Sequence, residues 1–224
     1  FTQFVRNLST QLKHRYPKLE LSVDVFADTA TKYRIWDLPQ LASSVDQVII
    51  MAYDFYRPSS TTAGPIAPLY GGCNGRLSLN SACAWDLDIT QSLNNFIKVV
   101  PKHKLVLGVP YYGYGWQTTS DQPLSPTYED SGELATFSRV QDLLSQPDAD
   151  ILNLSLNWSP LSLSPYLTYK SQGRWHQIWF EDERSLQLKY DLVNQTQLAG
   201  IAIWALGYDA DHPQLWNLLQ NFSR

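Results

Sequence analysis

Residues 45–55 read VDQVIIMAYDF, an apolar, β-branched run that ends on Tyr53 and Asp54. A short continuous apolar run bounded by polar segments describes a strand buried on both faces. An ionisable residue directly behind such a run needs a partner or a function to offset its desolvation. Working outward, three further runs have the same character: 19–26 (LELSVDVF), 104–112 (KLVLGVPYY) and 200–206 (GIAIWAL). Helical periodicity is expected over 1–16, 89–100, 134–145, 185–198 and 212–222. Strands alternating with helices describe an α/β chain built on a parallel sheet. About four strands are too few to close a barrel by themselves.

Capping chemistry supports these boundaries. Asp88 or Thr90 is placed to cap the helix that Pro101 helps to end, and Glu181-Asp182-Glu183 stands just before another helix, where acidic groups favour the positive end of its dipole. Those acidic groups, with Asp86/Asp88 and Asp148/Asp150, are expected to be solvated or capping. In LELSVDVF, Leu19, Leu21, Val23 and Val25 fall on one face and Ser22 and Asp24 on the other. Two long connections follow strands: 57–88, rich in Gly, Ser and Thr, and 117–179, which holds a helix and a hairpin around SPYLTYKSQGRWHQIWF. Following strands, both are expected at the carboxyl end of the sheet, where barrel proteins keep their sites.

With 224 residues, 44% of them hydrophobic, the chain is long enough for a sizeable core. The net charge of −4, with no local Lys/Arg cluster, removes the electrostatic footprint of a nucleic-acid binder. No apolar run approaches the roughly eighteen residues of a bilayer span, so no membrane span is expected. The N-terminus lacks a leader pattern, and Phe1, Phe4, Val5, Leu8 and Leu12 already follow helical spacing, so the chain is expected to begin inside a larger protein. Cys73 and Cys83 flank a Gly/Asn/Ser-rich stretch that either a disulfide or two free thiols would suit. Asn-x-Ser/Thr sequons at Asn7, Asn153, Asn157, Asn194 and Asn221 fit a secreted or cell-surface protein. His14, His103, His176 and His212 make no ligand spacing, so neither metal nor other cofactor is expected; no G-x-S-x-G elbow or phosphate-cradling loop occurs.

Several stretches resemble glycoside hydrolase family 18, the chitinase-like (β/α)₈ barrels. Met51-Ala52-Tyr53-Asp54 resembles the M-x-Y-D motif of the sixth barrel strand, and the following AGPIAPLY (63–70) is similar to a loop of bacterial members. Residues 108–116, GVPYYGYGW, resemble the seventh-strand motif G-x-P-x-Y-G-x-x-W, with glycines read as allowing a sharp turn above the strand. Trp204 matches the last-strand Trp, and WFEDERS (179–185) is similar to the segment leading into that strand. The resemblance covers nearly the whole chain and identifies residues 1–224 as a partial family 18 catalytic domain: the C-terminal half of a TIM barrel, strands five to eight, with an insertion at about 117–180.

That resemblance implies the rest. Tyr53 and Asp54 would hold the substrate's N-acetyl group in substrate-assisted retaining catalysis. Met51, Tyr112, Tyr114, Trp116, Trp204 and Asp24 would line the sugar site, Trp204 as the floor beneath the sugar at the cleavage position. Many members carry Arg where this chain has Tyr114. The family's D-x-x-D-x-D-x-E run, whose Glu is the catalytic acid, does not occur in residues 1–224. The implied partner is a β-1,4-linked N-acetylglucosamine polysaccharide, chitin or peptidoglycan. A catalytically inactive, lectin-like sugar binder and a half-barrel assembly module, pairing with the upstream half of a barrel or with itself, are the other two readings.

Overall fold

The computed structural model describes residues 1–32, 36–72 and 84–222; Cys73 and Cys83 lie outside them. In chain order, α1 (Thr2–Arg15) leads to β1 (Ser22–Phe26), α2 (Leu38–Ser44), β2 (Gln47–Met51), α3 (Ile89–Phe96) and, after a short 3-10 turn, β3 (Leu105–Pro110). A second block follows: β4 (Tyr112–Thr118), β5 (Glu133–Thr136), α4 (Phe137–Ser145), β6 (Leu152–Ser159), β7 (Ser164–Ser171) and β8 (Arg174–Trp179). The chain then returns through α5 (Glu183–Thr196), β9 (Gly200–Trp204) and α6 (Gln214–Gln220).

The four expected apolar runs form one parallel sheet in the order β1-β2-β3-β9. Its register sorts the side chains into two faces. Val25, Val48, Ile50, Leu105, Leu107 and Val109 are fully buried on the face covered by helices, each such side chain contributing about 1.5–3 kcal/mol. On the opposite face Asp24, Ile49, Val106 and Gly200 stand in one row, and Phe26, Met51, Gly108 and Ala202 in the next. Asp24 is therefore where the alternation of LELSVDVF placed it, exposed on the face that a closed barrel would turn inward.

Three readings change. Residues 104–112 are not one strand: β3 stops at Pro110, Tyr111 donates its N–H to the Trp204 carbonyl at 2.8 Å, and Tyr112 enters a second, antiparallel sheet. That sheet, ordered β5-β4-β8-β7-β6, spans 112–179 and contains the expected hairpin as β7–β8, turned through Gln172 and Gly173 at positive φ. The helix expected from 134 begins only at Phe137, because residues 133–136 pair with β4 and Thr136 supplies the cap to the Arg139 N–H. Helix α2 was not expected, although Asp37 caps it and a proline stands in its first turn, both readable signals.

Asp88 is the cap of α3, accepting from the Gln91 N–H at 2.7 Å, and Asp182 caps α5 in a reciprocal capping box with Ser185. Glu181 departs from the expected solvated or capping role. It is 1% exposed and ion-paired at 2.6 Å with Lys189, which is wholly buried on α5. The pair ties the end of the antiparallel sheet to the helix that packs on β3 and β9.

Candidate active site

Beyond β2 the chain places Tyr53 and Asp54 at the carboxyl end of the parallel sheet. Asp54 sits in the left-handed backbone region at φ 61°. Phe55 then donates its N–H to the Ile66 carbonyl at 3.0 Å, which docks the AGPIAPLY stretch, where Ala63, Ile66, Ala67 and Leu69 are buried, behind the site. That stretch supports the site and does not line it.

Two phenols from the second sheet converge on the same carboxylate oxygen. Tyr112 donates to Asp54 Oδ1 at 2.5 Å and Tyr114 donates to it at 3.0 Å. Hydrogen bonds to an ionised acceptor contribute about 1.5–3 kcal/mol each. No described residue donates to Asp54 Oδ2. Tyr112 is buried between Tyr53, Tyr114 and Tyr208, in edge-on contacts at 6.1, 5.4 and 6.1 Å. Burial, then donation to Asp54, pushes the Tyr112 phenol far above its ordinary range. Tyr53 is raised to about 12 by burial and by the charges of Asp24 and Asp54, and Tyr114 to about 12 by burial and Asp54. All three are neutral hydrogen-bond donors at physiological pH.

The glycines of GVPYYGYGW serve close approach, not the sharp turn expected of them. A Cβ on Gly108 would lie 2.6 Å from the Ile50 carbonyl and 3.2 Å from the Tyr53 ring; one on Gly113 would lie 2.0 Å from the Trp179 carbonyl. Neither glycine has a positive φ. They let β3 sit against β2 and β4 against β8, and so bring the tyrosines to Asp54.

A cavity of about 360 Å³ opens beside this cluster, its wall including Phe26, Met51, Tyr53, Asp54, Arg57 and Trp85. The structure thus brings Met51, Tyr53 and Asp54 together in one wall, with Tyr112 and Tyr114 bonded to the carboxylate and Asp24 near enough for its charge to act on Tyr53. Trp204 stands on β9, 55% exposed, on the same sheet face but outside the wall of this cavity. Trp116 is corrected: it is 1% exposed, donates Nε1–H to the Pro58 carbonyl at 3.1 Å and packs edge-on against Tyr114 at 6.1 Å. It props Tyr114 and offers no free ring face. Phe26, Arg57 and Trp85 were not anticipated. Phe26 follows Asp24 by two on the same strand and was accessible to the alternation argument; the positions of Arg57 and Trp85 depend on loop packing.

A partial (β/α) barrel with an antiparallel insertion, carrying a carboxylate and tyrosines at the carboxyl ends of its strands, is the class this architecture defines. The family model for Glycosyl hydrolases family 18 matches residues 1–209. The chain belongs to glycosyl hydrolase family 18. It is 28% identical over 229 residues to the cortical fragment-lytic enzyme of Bacillus subtilis (strain 168), covering 99% of this chain and 45% of that enzyme. Two solved structures share its fold. The Ostrinia furnacalis Group IV chitinase superposes with a TM-score of 0.83 at 21% identity, over 99% of this chain and 62% of that one. The family 18 N-acetylglucosaminidase of Paenibacillus barengoltzii superposes with a TM-score of 0.77 at 24% identity, over 100% of this chain and 63% of that one. The chain therefore spans less than two thirds of each of these proteins.

Proposed function

We propose that this chain is the acetamide-binding part of a retaining glycosidase that hydrolyses β-1,4-linked N-acetylglucosamine polymers with the substrate's own acetamide as nucleophile. The observation that carries this reading is the convergence of the Tyr112 and Tyr114 hydroxyls on Asp54 Oδ1, with Tyr53 alongside. With Oδ1 occupied by two phenols, Oδ2 is the acceptor left for an acetamide N–H. Accepting that proton pulls electron density towards the acetamide oxygen, which attacks the anomeric carbon as the glycosidic C–O bond breaks. The Tyr53 hydroxyl, kept protonated, orients the acetamide. Trp204 supplies an exposed aromatic face for the sugar ring. The proton taken by the leaving oxygen comes from an acid outside residues 1–224, since no D-x-x-D-x-D-x-E run stands within them; the isolated chain is expected to bind and not to hydrolyse. Such a substrate fits a secreted or cell-surface protein.

The test is calorimetric binding of chitotetraose and of cellotetraose, which lacks acetamides, to the natural protein that contains this chain, with a parallel assay for released reducing ends. Binding of chitotetraose alone, weakened in Asp54→Ala, together with hydrolysis, supports the reading. Acetamide-selective binding without hydrolysis makes the protein a lectin-like relative. Equal binding of both oligosaccharides, or of neither, sinks the acetamide site.

A further inference from the structure

Arg57 stands three residues beyond Asp54 in the wall of the cavity and takes no part in the tyrosine–carboxylate cluster. Arg57 is exposed, and its backbone is held in a turn. The backbone N–H donates to Ser60 Oγ at 2.9 Å, its carbonyl accepts the Ser60 N–H at 2.9 Å, and the side-chain Nε–H donates to the Asp54 carbonyl at 3.2 Å. This anchors the guanidinium by one nitrogen and leaves both Nη groups without a partner among the described residues. No described carboxylate stands within ion-pairing distance of it. The Arg57 charge nonetheless reaches the site, where it pulls the Tyr114 phenol downward against burial and Asp54.

The other charges of the wall differ. Lys32 faces Asp28 at 3.1 Å. Asp54 accepts two phenols, and Asp86 is the remaining acid. An anchored guanidinium with two free Nη groups matches a carboxylate bidentately, in a way that a neutral sugar hydroxyl does not require. A neutral N-acetylglucosamine polymer offers no such carboxylate. An alternating polymer free of peptide offers one on every second unit, since unsubstituted N-acetylmuramic acid carries a lactyl ether that ends in a carboxylate.

We infer that Arg57 is a specificity-determining residue that selects an acidic sugar, of the N-acetylmuramic type, bound next to the unit whose acetamide Asp54 holds. The inference rests on the acetamide-site reading and narrows its substrate from chitin to an alternating N-acetylglucosamine–N-acetylmuramic acid glycan. Asp86 opposes the same carboxylate and limits the preference.

The experiment compares, by calorimetry on the natural protein that contains this chain, chitotetraose with the N-acetylglucosamine–N-acetylmuramic acid tetrasaccharide. The muramyl ligand is expected to bind more tightly, by about tenfold for one charge-assisted bidentate contact, with added salt eroding the difference. Arg57→Gln is expected to remove about tenfold of that preference, Arg57→Lys to retain part of it, and Asp86→Asn to increase it. A wild-type protein that binds chitotetraose at least as well, or an Arg57→Gln variant with undiminished preference, overturns the inference while leaving the acetamide site standing. Binding of neither ligand overturns both.

Discussion

Replacing Tyr112 by Phe removes the 2.5 Å hydrogen bond to Asp54 Oδ1 and leaves the ring's edge-on packing against Tyr53, Tyr114 and Tyr208 in place. Loss of one bond to an ionised acceptor is worth about 1.5–3 kcal/mol, so affinity for chitotetraose should fall about tenfold or more by calorimetry. An unchanged affinity would remove Tyr112 from the positioning of Asp54. The same tyrosines make a pH prediction. Tyr53 and Tyr114 rise from 10.0 to about 12 on folding. The folded protein then holds their protons more tightly than the unfolded chain. Their contribution is complete below pH 10 and is lost as pH rises from about 10 through about 12. Urea midpoints measured stepwise across that window should decline, and less steeply in Tyr53→Phe. Met51, Tyr53 and Asp54 were legible because they are contiguous and end a buried run. Trp116 was misread because its motif specifies an aromatic ring there but not which way it is buried.

At the scale of elements, glycine substitutions separate close approach from turn geometry. Gly113→Ala would drive a Cβ to 2.0 Å from the Trp179 carbonyl, and β4 would have to leave β8; a loss of about 3 kcal/mol or more is expected in urea denaturation. Gly173→Ala, at φ 79° in the β7–β8 turn with open space around it, should cost only about 1 kcal/mol. The buried Glu181–Lys189 pair gives a second contrast. Glu181→Gln leaves a buried ammonium without its counter-charge and should cost about 3–5 kcal/mol, whereas Glu181→Met with Lys189→Met should cost far less. Equal losses in the single and double variants would show that packing, not charge, holds this joint. Neither feature was visible in WFEDERS alone: residues 181 and 189 meet only because the cap at Asp182 sets where α5 starts.

For the molecule as a whole, β1 and β9 are the two edges of the parallel sheet, and Phe26, Trp204 and Leu206 are 46%, 55% and 70% exposed. Edge strands that carry exposed apolar side chains favour association. The 224-residue chain by itself is expected to elute in size-exclusion chromatography above its 25.6 kDa mass; a clean monomer peak would mean that these edges are tolerated in water. What the sequence determined by itself was the βα alternation, the outward and inward faces of the strands, and the motifs of Met51–Asp54, 108–116 and Trp204, because periodicity and contiguous motifs are local properties. Only the tertiary structure decided that 104–118 breaks between two sheets, that Trp116 and Glu181 are buried, and that Tyr112 and Tyr114 meet Asp54 across 58 and 60 residues of chain. Periodicity assigns a side chain to a face; which group it meets there depends on how distant elements pack.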